Sequence, residues 1–111
     1  MINNKIQIIG NLGNTPVLKK VGDKRMTKVS LAVNESIRYK DGTRVKKTTW
    51  HTVVFWGQLA EQVVKYSKKG TAVMVSGRLK NKSFENRKGQ VCVITEIVGM
   101  EAVINYLHHA A

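Results

Sequence analysis

The hydrophobic period of this chain changes twice, and that switch restricts the fold more than any other feature. Over residues 26–39 apolar and polar side chains alternate, with Val29, Leu31 and Val33 on one face and Lys28, Ser30, Ala32 and Asn34 on the other. Over residues 58–69 the period lengthens: Leu59, Val63 and Tyr66 recur at helical spacing with Ala60 and Val64 beside them. This predicts a helix with Tyr66 in the core. Lys65, Lys68 and Lys69 close the segment, and Gly70 follows where a helix C-terminus favours glycine. The strand period then returns over residues 71–79.

The other segments read as short strands and turns. An apolar run at residues 5–9 is closed by the turn formers Gly10 through Pro16. Residues 17–21 continue as an edge strand before the polar turn Gly22-Asp23-Lys24. Asp41-Gly42 is a strong hairpin signal ahead of the strand at 48–57. Residues 80–90 read as a polar connection holding Phe84 and the turn Lys88-Gly89, and residues 91–98 as the last strand. In the tail from residue 99, Ile104, Tyr106 and Leu107 either pack against a neighbour or end a strand. Five strands with one short helix between the third and fourth predict a mainly all-β chain of the OB-fold type, a small partly open Greek-key barrel. The 111 residues make one domain over 1–111, with its core within 2–98.

The strand at 48–57 carries the chemistry. Trp50 and Trp56 fall on one face with Thr52 and Val54, about 20 Å apart along the strand, and His51, Val53 and Phe55 fall on the other. Both faces hold apolar side chains, so period alone does not decide which is the core. The chain carries 19 Lys and Arg against 7 Asp and Glu, a net charge of +12. That balance predicts a polyanionic partner, either nucleic acid or an anionic membrane surface. The cations fall in three groups in or beside turns, Lys19 to Lys28, Arg38 to Lys47 and Arg78 to Lys88. Phe84 lies within the third group, among Lys80, Lys82, Arg87 and Lys88. Flat rings in a basic setting suit single-stranded nucleic acid, whose bases stack while cations follow the phosphates. About six phosphate contacts would give a log affinity that falls with log salt at a slope of roughly −4.

Several classes are disfavoured. No run of about 18 apolar residues provides a membrane-spanning helix, and the first residues lack a signal peptide's small-residue cleavage site. The single cysteine, Cys92, has no disulfide partner in the chain and reads as a small buried side chain. These features suit a reducing cytoplasm. Gly10-Asn11-Leu12-Gly13 lacks dinucleotide-binding spacing. The carboxylates are scattered and no Cys/His set has zinc spacing, so neither a catalytic site, a cofactor nor a metal is expected.

Four stretches in order resemble the bacterial single-stranded DNA-binding protein family. They are Ile9-Gly10-Asn11-Leu12-Gly13 with Pro16; Leu31-Ala32 with Asn34-Glu35; Thr49-Trp50-His51 through Gly57 with Leu59-Ala60-Glu61; and Lys69-Gly70 leading to Gly77-Arg78-Leu79. Each is weak alone, but together in register they are highly specific. The resemblance implies a homotetramer that wraps and protects single-stranded DNA during replication, recombination and repair, in the bacterial cytoplasm and nucleoid. It implies stacking roles for Trp50, Trp56 and Phe84, with Ile37 standing where the family has another aromatic and Tyr39 as its substitute. Lys69, Lys80 and Lys82 match basic family contacts, whereas Thr52 and Gln58 stand where others are basic. Arg38, Lys46, Lys47 and Arg78 are expected to guide the backbone with them. His51 matches a position near the subunit interface. The family's acidic tail, which recruits enzymes, has no counterpart up to Ala111, so recruitment by that route is not supported; His108 and His109 are given no role. The alternative within the family is a dimeric primosomal replication-restart protein that bridges single-stranded DNA to partner proteins.

Overall fold

Alternation along the strands lets each bury one face, and the strands curl until those faces meet. The computed structural model describes residues 4–106; Leu107, His108 and His109 lie outside them. The elements are β1 (Ile6–Leu12), β2 (Lys19–Val21), β3 (Lys24–Arg38), β4 (Arg44–Trp56), α1 (Gly57–Tyr66), β5 (Ala72–Glu85) and β6 (Val91–Ile104). β1 pairs with β5, β5 with β6 and β3 with β4, all antiparallel, while β6 runs parallel to β4. β1 also pairs with β3 through Asn11–Ala32 and Leu12–Leu31, which closes a five-stranded barrel. The three-residue β2 flanks β3 as a sixth strand, and α1 joins the third and fourth barrel strands. This is the OB-fold architecture, its edges largely removed by closure.

Inside lie Leu12, Val29, Leu31, Val53, Phe55, Val73, Val75 and Ile97, with Ala60 and Val63 of α1 packed against them. Val53 and Phe55 are fully buried, so β4 turns its odd-numbered side chains inward and both tryptophans outward. Phe55 lies directly on Gly99 of β6; a Cβ there would stand 2.3 Å from Phe55 Cε1.

Two expectations about the helix are corrected. Tyr66 is 59% exposed, not core. The inward stripe is short, with Ala60 and Val63 buried, and the helix stops at Tyr66 before another turn can bring that ring under the barrel. Lys65 Nζ instead stands 5.2 Å from the tyrosine centroid. Nor is Gly70 the helix cap. The cap is Ser67, whose backbone N–H donates to the Val63 carbonyl at 3.1 Å. Gly70 serves the next turn, with φ +93°.

Residues 80–85 are strand rather than loop. They pair with residues 91–96 in a hairpin that projects from the barrel and turns over Asn86–Gln90, where the Asn86 carboxamide oxygen accepts the N–H groups of Lys88 and Gln90. On the β5 side residues 80–85 are exposed on both faces, so they carry no apolar alternation. The Asp41-Gly42 hairpin forms as expected: Tyr39 N–H donates to the Thr43 carbonyl at 2.9 Å. Thr43 N–H donates to the Asp41 carboxylate, which holds that carboxyl below its ordinary pKa.

Because the Phe55 ring is walled in by core side chains, it has no room to retreat from an added methyl at Gly99. Gly99→Ala is therefore expected to destabilise the fold by about 1–3 kcal/mol, the usual cost of overpacking. Urea denaturation of the two proteins measures it.

Candidate nucleic-acid interface

The barrel register collects aromatic and basic side chains on one outer surface. Across β3, β4, β6 and β5 the directly paired residues Lys28, Val54, Val98 and Arg78 form a row. Trp56 lies one alternation step from this row and Trp50 two steps the other way. On β5, Lys80, Lys82 and Phe84 share the parity of Arg78, opposite Glu96, Ile94 and Cys92. On the β3–β4 arm, Arg38 stands opposite Arg44 and Lys46 opposite Ser36, both with the parity of Trp50.

Each indole has a distinct seat. Trp50 is 60% exposed, yet its ring is not free: it leans over its cross-strand partner Ala32 onto Gly13, where a Cβ would stand 2.4 Å from Cζ3. The loop beneath is fixed, since Gly13 N–H donates to the Ser30 carbonyl and the Asn14 side chain accepts the Ser30 N–H, both at 2.8 Å. One ring face is thereby supported by backbone while the side chain remains largely open. Trp56 is 39% exposed and lines an open cleft of about 740 Å³ with Lys24, Arg25, Arg78 and Lys80. This cleft combines an aromatic wall with four cations and two carboxylates, Asp23 and Glu61, of which Glu61 is paired to Arg25.

The remaining expected residues separate into those that join this surface and those that do not. Phe84 is exposed near the tip of the β5–β6 arm, and Tyr39 is exposed at the β3–β4 turn. Lys69 follows α1, where its backbone N–H donates to Thr15 Oγ1 at 3.1 Å and ties its loop to the one beneath Trp50. Lys47 stands opposite Glu35 with the parity of the inner face, so the register divides it from Lys46. His51 is half-buried opposite Leu31, with the same inward parity. Cys92 is half-buried on the arm and not in the core. Sequence reasoning did not single out Lys24 and Arg25; their only signal was membership of the first basic group.

Charge on this surface is poorly compensated. Among the described residues two ion pairs form, Arg25–Glu61 and Lys28–Glu96. Arg38 and Arg44 oppose one another across the hairpin, an arrangement of like charges that is unfavourable until an anion joins it. Flat apolar rings, unpaired cations and an open cleft can together hold a ligand that has planar faces and a polyanionic backbone.

Comparison with known proteins agrees with this chemistry. Residues 3–104 match the single-strand binding protein family. Single-stranded DNA-binding protein 1 of Xylella fastidiosa (strain 9a5c) is 40% identical over 100 residues, covering 88% of this chain and 74% of that protein. The single-stranded DNA-binding protein of Xylella fastidiosa strain Temecula1 / ATCC 700964 is 37% identical over 99 residues, covering 88% of this chain and 60% of its own length. This chain thus spans less than two thirds of that relative. The solved Plasmodium falciparum SSB complex with ssDNA superposes with a TM-score of 0.85 at 31% identity, covering 94% of this chain and 96% of that one.

The seats of the two indoles predict different access from solvent. In Trp56→Phe, where Trp50 is the sole emitter, acrylamide should quench more strongly than in Trp50→Phe. Iodide should gain on acrylamide in both variants at low salt, because the surrounding cations concentrate an anion. Stern–Volmer slopes at low and high ionic strength measure both effects.

Proposed function

The chain belongs to the single-strand binding protein family, and on that premise we propose that it binds single-stranded DNA without regard to sequence. The observation that carries this reading is the outward position of two indoles on one strand, amid cations of which, among the described residues, only Arg25 and Lys28 have a carboxylate partner. Trp50 and Trp56 stack on bases, with Phe84 and Tyr39 as further platforms. Stacking is worth about 1–3 kcal/mol per base and accepts any base, because every base has a π face. Arg38, Lys46, Lys69, Arg78, Lys80 and Lys82 hold the phosphates, with Lys47 a further contact reached around the edge of the hairpin. Phosphate contacts fix the path of the strand and carry no sequence information.

The work is protective and non-enzymatic. Held strands stay unpaired and shielded during replication, recombination and repair. Stacking and charge pairing require neither cofactor nor metal. We further read the protein as a homotetramer acting in the bacterial cytoplasm on nucleoid DNA, with His51 near the subunit interface. Exposed apolar residues on the barrel strands, such as Ile9, Met100 and Val103, support association. Among the described residues no helix is long and apolar enough to cross a membrane. Mass measured in solution should give a tetramer; a dimer would favour the primosomal replication-restart role.

Fluorescence titration with oligo-dT tests the stacking roles. Trp50→Ala or Trp56→Ala should weaken binding by about 1–3 kcal/mol with the salt slope nearly unchanged. Binding equal to the unaltered chain in both variants would remove the stacking role. Replacing Lys80 and Lys82 together should instead make the slope shallower by roughly 1.4.

A further inference from the structure

One ion pair crosses the middle of the proposed DNA-binding surface. Lys28 of β3 stands opposite Val54 of β4, and Val54 pairs in parallel with Val98 of β6. Glu96 lies two residues before Val98 and so has the same outward parity, level with Thr52. To meet Glu96, Lys28 must reach over β4 between Thr52 and Val54, and its Nζ comes within 3.1 Å of Oε2. Trp50 and Trp56 flank that stretch on the same face. The bridge therefore lies on the floor between the two indoles. Val54 points outward there yet is only 4% exposed, as expected if a lysine stem covers it.

The two charges are unequally placed. The Glu96 side chain is 7% exposed and that of Lys28 is 47% exposed. Glu96 Oε2 accepts no aligned hydrogen bond, so charge rather than geometry holds the pair together. Lys80 is the direct cross-strand partner of Glu96 on the other side. A single buried carboxylate thus sits between two lysines in an otherwise cationic surface.

We propose that Glu96 is a built-in competitor of DNA phosphate: it occupies Lys28, leaves the floor between Trp50 and Trp56 neutral, and thereby weakens the grip on the strand. This rests on the proposed single-stranded DNA binding. A phosphate passing between the indoles meets a satisfied lysine and a fixed negative charge, so the strand is held at the two ring seats and released more readily between them. The effect is on affinity and salt dependence, without base preference.

The test measures oligo-dT affinity of the full chain over a sodium chloride series by tryptophan fluorescence, with urea midpoints for every variant. Glu96→Gln frees Lys28 for about one more phosphate. Its slope should steepen by about 0.7, and affinity near 0.1 M salt should rise about fivefold. An unchanged slope in folded Glu96→Gln would overturn the proposal. The double variant Lys28→Met with Glu96→Gln removes both charges and leaves no buried carboxylate unpaired. Its slope should equal that of the unaltered chain, since Lys28 contributes no contact while Glu96 holds it. A slope shallower by about 0.7 would mean that Lys28 already meets phosphate, and it would overturn the proposal even if Glu96→Gln does not fold. Failure of the unaltered chain to bind oligo-dT would overturn the DNA-binding reading itself, a result distinct from either variant outcome.

Discussion

Burial of Val53 and Phe55 is the constraint from which the surface chemistry follows. Side chains alternate along β4, so sealing these two in the barrel turns Trp50, Thr52, Val54 and Trp56 outward. Gly99 makes this possible: with no Cβ, it lets the Phe55 ring lie against the backbone of β6. One strand thus supplies the centre of the core on one side and both aromatic seats on the other. The two roles cannot be separated by sequence change on one face alone, because the inward packing fixes the outward directions.

The outer surface is arranged against the stability of the free protein. Two large indoles remain partly in water, where burial would have contributed about 1.5–3 kcal/mol for a large apolar side chain. Arg38 and Arg44 face one another across the β3–β4 pair, and Lys24, Arg25, Arg78 and Lys80 share one cleft. Such self-repulsion disfavours the compact state and is relieved by a polyanion. The barrel tolerates it because its closed ladder and inner packing do not depend on these side chains.

Much of this was legible in the sequence, and the failures have identifiable causes. The switch from strand to helical period and back located the helix between the third and fourth barrel strands, because each period reports a one-sided burial. The common face of Trp50 and Trp56 was readable for the same reason. Which face was inward was not, since Val54 and Thr52 on one side look no more polar than His51 and Val53 on the other. Tyr66 fitted the helical stripe, but a stripe does not show where the barrel beneath it ends. The β5 half of the arm, residues 80–85, looked like a loop because its side chains are exposed on both faces, so the pattern that marks a half-buried strand never arises there. Lys46 and Lys47 are neighbours in sequence but lie on opposite faces, which only the register with Ser36 and Glu35 reveals. Lys24, Arg25 and Arg78 meet at Trp56 through the parallel pairing of β4 with β6, a long-range pairing with no local signature.

Register is therefore a functional property of this barrel as well as a structural one. A slip of one residue between β3 and β4 would exchange the faces of a strand, driving Trp50 and Trp56 toward the core and Phe55 into water. Three devices fix the registers of the barrel strands around this pair. The Asp41-Gly42 turn fixes the β3–β4 pairing at one end, with Gly42 at φ +90°. Midway along β3 the two bonds between Ser30 and the Gly13–Asn14 loop bind the strand to the chain after β1. In β6 the pairing of Gly77 with Gly99 and of Ser76 with Glu101 leaves Met100 unpaired, a bulge that bends the strand one residue beyond the Phe55 contact. None of these positions needs to touch a ligand to control binding. Each acts by keeping the indoles on the outer face and the phenylalanine on the inner one.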